Sequence, residues 1–346
     1  MKYKRILFIC KKRPACYGVS YGLLNSCRFL ANALKDMGFE AKVVEVRDNN
    51  DIDREVTLYK PTHAFVEALW VVPSKFNELI PLHPKVNWYV RLHSNVPFIA
   101  NEGVAMSWII QYLALGVRFK QFKVCANDDR MVNDLEKTFK EKIVYAPNIY
   151  RPGDYVDLPQ LLPDLPTLLG KKPEVIDIGC FGAIRILKDQ LIQAMAAIVF
   201  ANEMKVHLNF HMNDTRIENQ GEGIYRNLQA LFVGTGHTLV SHSWLEHPEF
   251  MKLVRQMDLG MQVSFSETFD IVAADFAIAN VPVVGSTEIK WLSPLYKARP
   301  TDMNDIVSHL WTAWQGKKVG LQLVNRKGLC EWNDDAEKVW EKLIKH

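Results

Sequence analysis

Residues 264–286 read SFSETFDIVAADFAIANVPVVGS, and this stretch says most about the fold of the chain. It follows the apolar run Leu259–Val263, contains the apolar segment Ile271–Ala279 and ends with the apolar run Val281–Val284. Short apolar runs between polar residues are typical of buried strands, and the longer middle segment has the length of a helix. The stretch therefore predicts a strand, a loop, a buried helix and a second strand, as in a parallel α/β sheet.

Two acids, Glu267 and Asp275, lie eight positions apart in this stretch. Burying an unpaired carboxylate costs several kcal/mol, so Asp275 in an apolar helix predicts a hydrogen-bonding ligand or a buried basic partner. The alternative is an amphipathic helix that turns this acid to solvent, and the residues alone leave both open. A third acid, Asp270, precedes the helix and is predicted to cap its N-terminus.

Length and composition bound what the chain can be. Its 346 residues are too many for one ordinary core and fit two α/β domains of roughly 150 to 170 residues each. No apolar run approaches the ~18 residues that a membrane-spanning helix needs. The N-terminal run Ile6–Cys10 is too short for a signal-peptide core and is predicted to be the first strand, and the scattered cysteines predict a cytoplasmic protein.

Cysteine spacing and charge exclude some classes of protein. The six cysteines form no C-x-x-C pair, so neither a zinc site nor a disulfide framework is predicted. The net charge of +3 does not require a polyanionic partner, although it does not exclude one. The fingerprint G-x-G-x-x-G is absent, which disfavours a dinucleotide cofactor. The D-x-D of Asp51 and Asp53 could hold a metal, but its polar surroundings favour a solvated loop or a helix start.

Short apolar runs alternate with longer helical patterns in both halves of the chain, which predicts parallel sheets with crossover helices. Strands are predicted at Arg5–Cys10, Lys42–Val46, Ala64–Val66, Val86–Val90, Phe122–Ala126, Ile143–Tyr145, Val175–Cys180, Val206–His211, Thr238–Ser241 and the two runs that flank the acids. A proline-rich interval separates the halves. We therefore predict Rossmann-like domains at residues 1–155 and 173–328, a linker at 156–172 and a C-terminal helix at 329–346.

A candidate phosphate-binding loop follows the first predicted strand of the second half. It reads CFGAIRILK from Cys180 to Lys188 and places Gly182, Arg185 and Lys188 before a helix. Glycine lets the backbone approach a ligand, arginine offers a planar fork of donors and lysine acts as a point charge. Such a loop suits a diphosphate, and the alternative is an ordinary loop with two solvated cations.

These motifs, in this order, resemble those of the retaining glycosyltransferases of family 4, which have the two-lobed GT-B fold. The family pattern E-x-F-x-x-x-x-x-E-x-x-x-x-x-x-P-V-V is matched by Glu267, Phe269, Asp275, Pro282, Val283 and Val284, with Asp in place of the second Glu. Lys188 matches the lysine of the family's G-R-x-x-x-x-K, whereas Arg185 lies two positions after the usual arginine. The resemblance implies an α/β fold of two Rossmann-like domains with parallel sheets facing a central cleft.

The resemblance also implies roles for individual residues. Glu267 would contact hydroxyls of the donor sugar, and Lys188 with Arg185 would bind the donor diphosphate. His93, which follows a strand of the first half, would lie near the transferred sugar. The remaining donor contacts would be Asp275 on the ribose, Trp244 near the base, the backbone around Thr268, Phe269, Asp270 and Ile271 at the helix start, and the glycine turns at Gly182 and Gly18.

The function that the resemblance implies is transfer of a sugar from a nucleotide-diphosphate sugar to an acceptor hydroxyl. The anomeric configuration would be retained, and no metal or other cofactor would be needed. The first domain would hold the acceptor, either a glycan or lipid-linked sugar or the hydroxymethylated bases of phage DNA. The alternative of a different class is a two-lobed sugar-binding protein without catalysis. The paired cations beside the acid motif disfavour this alternative.

Overall fold

The structure, a computed structural model, describes residues 4–12, 21–152, 173–218 and 220–345. Two compact units divide the chain, one made of Met1–Gly153 with Trp332–His346 and the other of Asp154–Glu331. The predicted linker at 156–172 and the glycine turn at Gly18 lie outside the described residues.

The described part of the first unit is a parallel sheet with helices on both faces. Its strands are β1 (Arg5–Lys11), β2 (Glu40–Val46), β3 (His63–Glu67), β4 (Asn87–Leu92), β5 (Phe122–Ala126) and β6 (Val144–Tyr145), in the order β2-β1-β3-β4-β5-β6. Its helices are α1 (Tyr21–Asp36), α2 (Asp51–Tyr59), α3 (Phe76–Leu82), α4 (Val96–Ile99), α5 (Ala105–Arg118) and α6 (Asp129–Phe139).

Strand β1 shows why these strands read as unbroken apolar runs. Leu7 and Ile9 pack into the core on one face of the sheet, whereas Ile6 and Phe8 pack into the core on the other. Both faces are covered by helices, so neighbouring positions along the strand are all buried. The continuous run Ile6–Cys10 is thus explained by burial on both sides.

The second unit is built around another parallel sheet. Its strands are β7 (Val175–Gly179), β8 (His207–Asn213), β9 (Thr238–His242), β10 (Leu259–Gln262), β11 (Val283–Ser286) and β12 (Lys297–Ala298), in the order β12-β11-β10-β7-β8-β9. Its helices are α7 (Gln190–Met204), α8 (Glu222–Val233), α9 (His247–Val254), α10 (Ile271–Ile278) and α11 (Met303–Lys317), and α12 (Leu323–Lys345) begins here and ends in the first unit.

The predicted fold class, two Rossmann-like α/β units with parallel sheets, is confirmed. Counted from its own first strand, the second sheet has the order 6-5-4-1-2-3, which is that of the Rossmann fold. Its strand order reverses between β7 and β10. Ligands of such sheets bind beyond the carboxyl ends of the strands at this reversal. The residues after β7 and β10 are therefore the expected ligand site.

Glycines in β7 and β10 allow α10 to pack closely on the sheet. A Cβ added at Gly260 would lie 2.7 Å from the ring of Phe276, and one at Gly179 would lie 3.0 Å from it. No larger residue fits at either position unless the helix moves away. The N-terminus of α10 is therefore held against the carboxyl end of β10.

The D-x-D motif of the first unit opens a helix, as one of the two sequence interpretations predicted. Asp51 begins α2 and accepts from the backbone N–H of Arg47 over 3.1 Å, and Asp53 lies 2.7 Å from Nε2 of His83. Among the described residues no group of three or more His, Cys, Asp and Glu side chains could hold a metal ion. In the same part of the chain, no helix is long and apolar enough to cross a membrane.

Candidate functional site

A buried charge cluster lies where the strand order of the second sheet reverses. The loop after β7 ends in a single 3₁₀ turn, Ile186–Lys188, and the loop after β10 carries Glu267 and Asp270 into α10. Gly182 makes the first loop possible, because its φ of +124° lies in the region that other residues avoid. The two loops bring together residues that lie about eighty positions apart in the sequence.

Lys188 is the centre of this cluster. Its Nζ lies 2.6 Å from Oε1 of Glu267, 3.1 Å from Oδ2 of Asp270 and 3.2 Å from Oε1 of Gln262. The side chains of Lys188 and Glu267 are only 11% and 10% exposed, and that of Asp270 is 1% exposed. An ammonium group with three oxygen partners in this environment is well satisfied, as a buried charge must be.

Burial and charge compete in this cluster. Burial opposes the charge of Lys188, but Asp270 and Glu267 outweigh it and hold the pKa of Lys188 above its usual range. Burial would likewise raise the pKa of Glu267, yet Lys188 and Arg185 lower it below its usual range. For Asp270 the balance is different. Burial raises the pKa of Asp270 to about 6, although Lys188 opposes the shift. At neutral pH the cluster thus holds one lysine between two acids.

Arg185 belongs to the same cluster although it lies two positions from the place the family pattern gives it. Its loop is held by a backbone pairing in which Ile184 donates to Arg216 and accepts from Glu218, each over 2.9 Å. Arg185 Nη1 lies 3.6 Å from the carboxylate of Glu218, and Arg185 also contributes to the lowered pKa of Glu267. The loop therefore brings the displaced arginine to the acids.

Asp270 caps helix α10, as predicted. Its carboxylate accepts from the backbone N–H of Ala273 over 2.9 Å, and its φ of +58° is unusual for a residue other than glycine. Such strained backbone conformations concentrate at functional sites. The positive end of the α10 dipole consequently lies beside Lys188.

Asp275 is buried, so the alternative in which this acid turns to solvent is wrong. It is 1% exposed, and its Oδ1 lies 2.7 Å from Nε2 of His247, which is the first residue of α9. The other alternative, a buried basic partner, is confirmed. This contact joins α9 to α10 beside the charge cluster.

A double-mutant cycle on this pair tests its contribution to stability. We expect His247→Ala and Asp275→Ala each to lower the free energy of unfolding by about 3 kcal/mol, because each removes a contact between two buried polar side chains. The double variant should lose at least ~1 kcal/mol less than the sum of the singles. Urea titrations measure all three variants.

The surface pair His83 and Asp53 is the matched control, because its atoms are also 2.7 Å apart while Asp53 is 49% exposed. We expect a coupling energy below ~1 kcal/mol for that pair. Additive losses for His247 and Asp275, or equal coupling in the two pairs, would contradict the buried-pair assignment.

The remaining predicted donor contacts of the second unit differ in exposure. Phe269 is 2% exposed and its carbonyl accepts from Nε1 of Trp291 over 2.7 Å, so its side chain belongs to the core. The ring of Trp244 is half-buried, with the guanidinium of Arg216 4.9 Å from its centroid. Thr268 and Ile271 are partly exposed beside the start of α10, and the N–H of Gly182 donates to Asn213 Oδ1 over 3.0 Å.

His93 lies in the first unit, just after the carboxyl end of β4. Its Nε2 makes a short contact with Oε2 of Glu67, which is fully buried at the end of β3. Arg91, also fully buried, donates from Nη1 to the same oxygen over 3.1 Å. His93 thus contacts an acid that is itself paired with a buried cation, and the sequence interpretation included neither residue.

The sequence patterns did not identify four side chains that lie at these sites: Gln262, His247, Glu67 and Arg91. A signal existed for Gln262 and Glu67, since each is a polar residue that ends an apolar strand, where parallel sheets place functional groups. His247 has no such signal, because its role depends on the packing of α9 against α10.

Comparisons with known proteins establish the fold. No family model matches the chain, and no curated protein matches it in sequence. A structure of trehalose-6-phosphate synthase OtsA matches with a TM-score of 0.68 at 12% identity, covering 99% of both chains. An E. coli trehalose-6-phosphate structure bound with UDP-2-fluoro glucose matches with a TM-score of 0.66 at 11% identity, covering 98% of both. A glycosyltransferase structure from Rickettsia africae gives 0.63 at 10% identity, covering 100% of this chain and 98% of that one.

The chain accordingly has the two-domain GT-B fold that the sequence predicted. At 10 to 12% identity these structural similarities establish the fold alone. A fold does not determine the activity, which depends on the residues of the site.

Proposed function

We propose that the chain is a glycosyltransferase that moves a sugar from a nucleotide-diphosphate sugar to an acceptor hydroxyl. The observation that carries this proposal is the cluster in which Lys188 lies 2.6 Å from Glu267 and 3.1 Å from Asp270 at the carboxyl edge of the second sheet. A buried lysine, a nearby arginine and a helix N-terminus together suit an anion of two phosphates. Glu267 next to them offers an acceptor for sugar hydroxyls.

Charge development explains how such a site would promote transfer. When the bond between the sugar and the diphosphate breaks, negative charge grows on the leaving phosphate oxygen and positive charge on the sugar. Lys188 and Arg185 stabilise the first, and the carboxylate of Glu267 lies where it favours the second. The donor must separate Lys188 from its acid partners, so diphosphate and carboxylates compete for the same ammonium group.

Retention of configuration and independence from metals are part of the proposal. Retention is supported by the likeness to a trehalose-6-phosphate synthase studied with bisubstrate glycomimetics for glycosyltransfer with retention, with a TM-score of 0.66 at 11% identity. Metal independence is supported by the cations and the helix N-terminus, which would provide the positive charge that a leaving diphosphate needs. The acceptor class and the cytoplasmic location stay predictions.

A panel of nucleotide sugars tests the proposal. We expect at least one nucleotide-diphosphate sugar to raise the melting temperature by several degrees at a concentration ~100 times its Kd, since binding stabilises the folded state by about 2.7 kcal/mol there. UDP-glucose is a suitable first compound, because a similar structure was solved with a UDP-sugar analogue. Stabilisation by a free sugar, with none from any nucleotide sugar, would favour the sugar-binding protein and contradict the proposal.

Donor binding is expected to depend on pH because of Asp270. Burial raises the pKa of this acid to about 6. As pH falls from 7.5 to 5.5 this acid gains a proton and one negative charge beside Lys188 disappears, while the diphosphate diester keeps its charge. We expect the affinity for the nucleotide sugar to rise by about tenfold, an effect of about 1.4 kcal/mol. Calorimetric titrations at several pH values measure it.

Asp270→Asn is the control for this dependence. Asparagine still caps a helix but cannot ionise, so the variant should bind tightly at pH 7.5 and show a smaller change toward pH 5.5. Burial also raises the pKa of the neighbouring Asp189 to about 7, and any dependence left in the Asn variant would report that group. An affinity that falls with pH, or an equal dependence in both proteins, would contradict the assignment.

A further inference from the structure

Gln262 is a buried amide beside the charge cluster of the second unit, and the charges of that cluster do not account for it. It ends β10, whose other residues are all apolar, and it is only 2% exposed. Burying an amide is unfavourable unless both of its ends have hydrogen-bond partners. Because β10 lies at the reversal of strand order, the partners of this amide belong to the candidate site.

The two partners of Gln262 fix how its amide is oriented. Its Nε2 donates to the carbonyl oxygen of Phe181 over 2.9 Å, and its Oε1 accepts from Nζ of Lys188 over 3.2 Å. An ammonium group can only donate and a carbonyl oxygen can only accept, so the reverse orientation would lose both hydrogen bonds. Gln262 therefore connects the side chain of Lys188 to the backbone of the loop after β7.

The backbone of Lys188 is held by a different glutamine. Nε2 of Gln193 donates to the carbonyl oxygen of Lys188 over 2.7 Å, and its Oε1 accepts from the backbone N–H of Val263 over 2.9 Å. Gln193 thus positions the main chain, whereas the contact of Gln262 is with the ammonium group. A change at Gln262 should consequently affect the charged end of Lys188 and leave its backbone in place.

Gln262 differs in charge from the other partners of Lys188. Glu267 and Asp270 are acids, so a bound diphosphate would compete with both for the ammonium group. The amide is neutral, and it stays an acceptor when the diphosphate is present. An ammonium group has three hydrogens, so one can remain on Gln262 while the others turn to phosphate oxygens. The amide can therefore hold Lys188 after the acids have let it go.

We propose that Gln262 is a positioning residue, which acts through Lys188 by holding its ammonium group beside the loop after β7 while the diphosphate displaces the acids. This inference rests on the proposed function, because a diphosphate at this site is what would displace them. Gln262 does not itself touch the nucleotide sugar. Its contribution is to keep the positive charge where negative charge develops on the leaving group.

Gln262→Met and Gln190→Met form a matched pair of variants. Gln190 is also 2% exposed, and its Nε2 also donates over 2.9 Å to a carbonyl of the same loop, that of Ala183. Both substitutions therefore remove one buried hydrogen bond to the loop, but Gln262→Met removes the contact with Lys188 as well. A purely structural role predicts the same effect for both variants.

The first measurement is the ammonium signal of Lys188 in ¹H–¹⁵N spectra of protein labelled at lysine, assigned by its loss in Lys188→Met. We expect the signal to move in Gln262→Met and to keep its wild-type position in Gln190→Met. Lys317 is the internal control, since it pairs with Asp258 over 2.8 Å in the same unit. Its signal should be the same in every variant.

The second measurement is the split between kcat and KM for sugar transfer. In Gln262→Met we expect kcat to fall about tenfold or more, the usual effect of losing one hydrogen bond to a charged group. The KM for the nucleotide sugar should change less, because the position of the charge matters most as the leaving group departs. Gln190→Met should keep a kcat near that of the wild type.

Gln262→Glu tests the role without shortening the side chain. In its protonated form the new carboxyl group can donate to Phe181 and accept from Lys188, as the amide does, whereas the ionised form can only accept and adds a third acid. The ratio of variant to wild-type kcat should therefore rise as pH falls from about 8 to about 5.5. The ratio cancels the titration of Asp270 and Asp189, which both proteins share, and the ratio for Gln190→Glu should change less.

Equal effects of the two Met variants on kcat, or an unmoved Lys188 signal in Gln262→Met, would overturn the inference. If Gln262→Met does not fold, the comparison of Gln262→Glu with Gln190→Glu decides, and equal pH dependence in that pair would overturn it too. Failure of the proposed function would look different. No nucleotide sugar would then stabilise the wild type, and the inference would fall with that function. If the wild type transfers sugar and Gln262→Met does so at the same rate, the function stands and the inference alone is wrong.

Discussion

Lys188→Ala is expected to lower the free energy of unfolding by about 3 to 5 kcal/mol, because it leaves Glu267 and Asp270 buried without their cation. The same substitution should reduce sugar transfer by at least ~100-fold, since it removes charge stabilisation of the leaving diphosphate. The stability loss has a predicted pH dependence. Without Lys188, burial is left to raise the pKa of Glu267 and Asp270, so these acids take up protons in the variant as pH falls and the buried charge disappears. The difference from wild type should therefore be largest near pH 8 and shrink toward pH 5.

Lys252→Ala provides the matched control for this prediction. Lys252 lies in the same unit and pairs with Glu249 over 2.8 Å, but its side chain is 65% exposed. We expect a change within ~0.5 kcal/mol and normal transfer. Urea titrations at several pH values give the unfolding free energies, and similar losses for the two lysines would rule out a buried charge cluster.

Arg91→Met is expected to lower the free energy of unfolding by about 3 to 5 kcal/mol, because Glu67 then stays buried without a compensating cation. Adding Glu67→Met should recover most of that loss, so the two substitutions are far from additive. The single variant should also regain stability as pH falls, because Glu67 takes up a proton in its apolar surroundings.

Arg54→Met is the surface counterpart, since Arg54 contacts Asp51 and Glu55 but is 61% exposed. Its substitution should change the unfolding free energy by no more than ~0.5 kcal/mol. Thermal and urea unfolding of the wild type, Arg91→Met, Arg54→Met and the double Met variant measures these free energies of unfolding. An additive loss in the double Met variant would show that Glu67 and Arg91 do not act as a pair.

Much of this fold could be predicted from apolar runs alone. Phe122–Ala126 is a strand at the predicted residues, and the predicted strand Thr238–Ser241 is Thr238–His242 in the structure. Strands buried on both faces give the plainest signal a sequence can offer. The order of the strands was not readable, since it depends on how the crossovers pack.

The charge cluster was predicted as residue types but not as contacts. Motif spacing pointed to Lys188 and Glu267, yet nothing in the sequence showed that they would pair with each other at 2.6 Å. The effect of Arg185 was hidden for another reason. Its loop is positioned by backbone pairing with Arg216 and Glu218, which lie some thirty residues further along.

Buried partners were the hardest features to foresee. The solvent-facing alternative for Asp275 failed because His247 approaches from a separate helix. Sequence periodicity reports which face of a helix is apolar, but not which polar group of a neighbour reaches it. Arg91 was hidden likewise, inside a strand whose apolar neighbours dominate the pattern.

In the proposed function, Lys188 and its neighbours bind the diphosphate of a nucleotide sugar. Calorimetric titration of the stabilising nucleotide sugar into the wild type, Lys188→Met and Lys252→Met tests it most directly. We predict that Lys188→Met binds at least ~100-fold more weakly, about 2.7 kcal/mol, while Lys252→Met binds like the wild type. Equal affinity in all three folded proteins would contradict the claim.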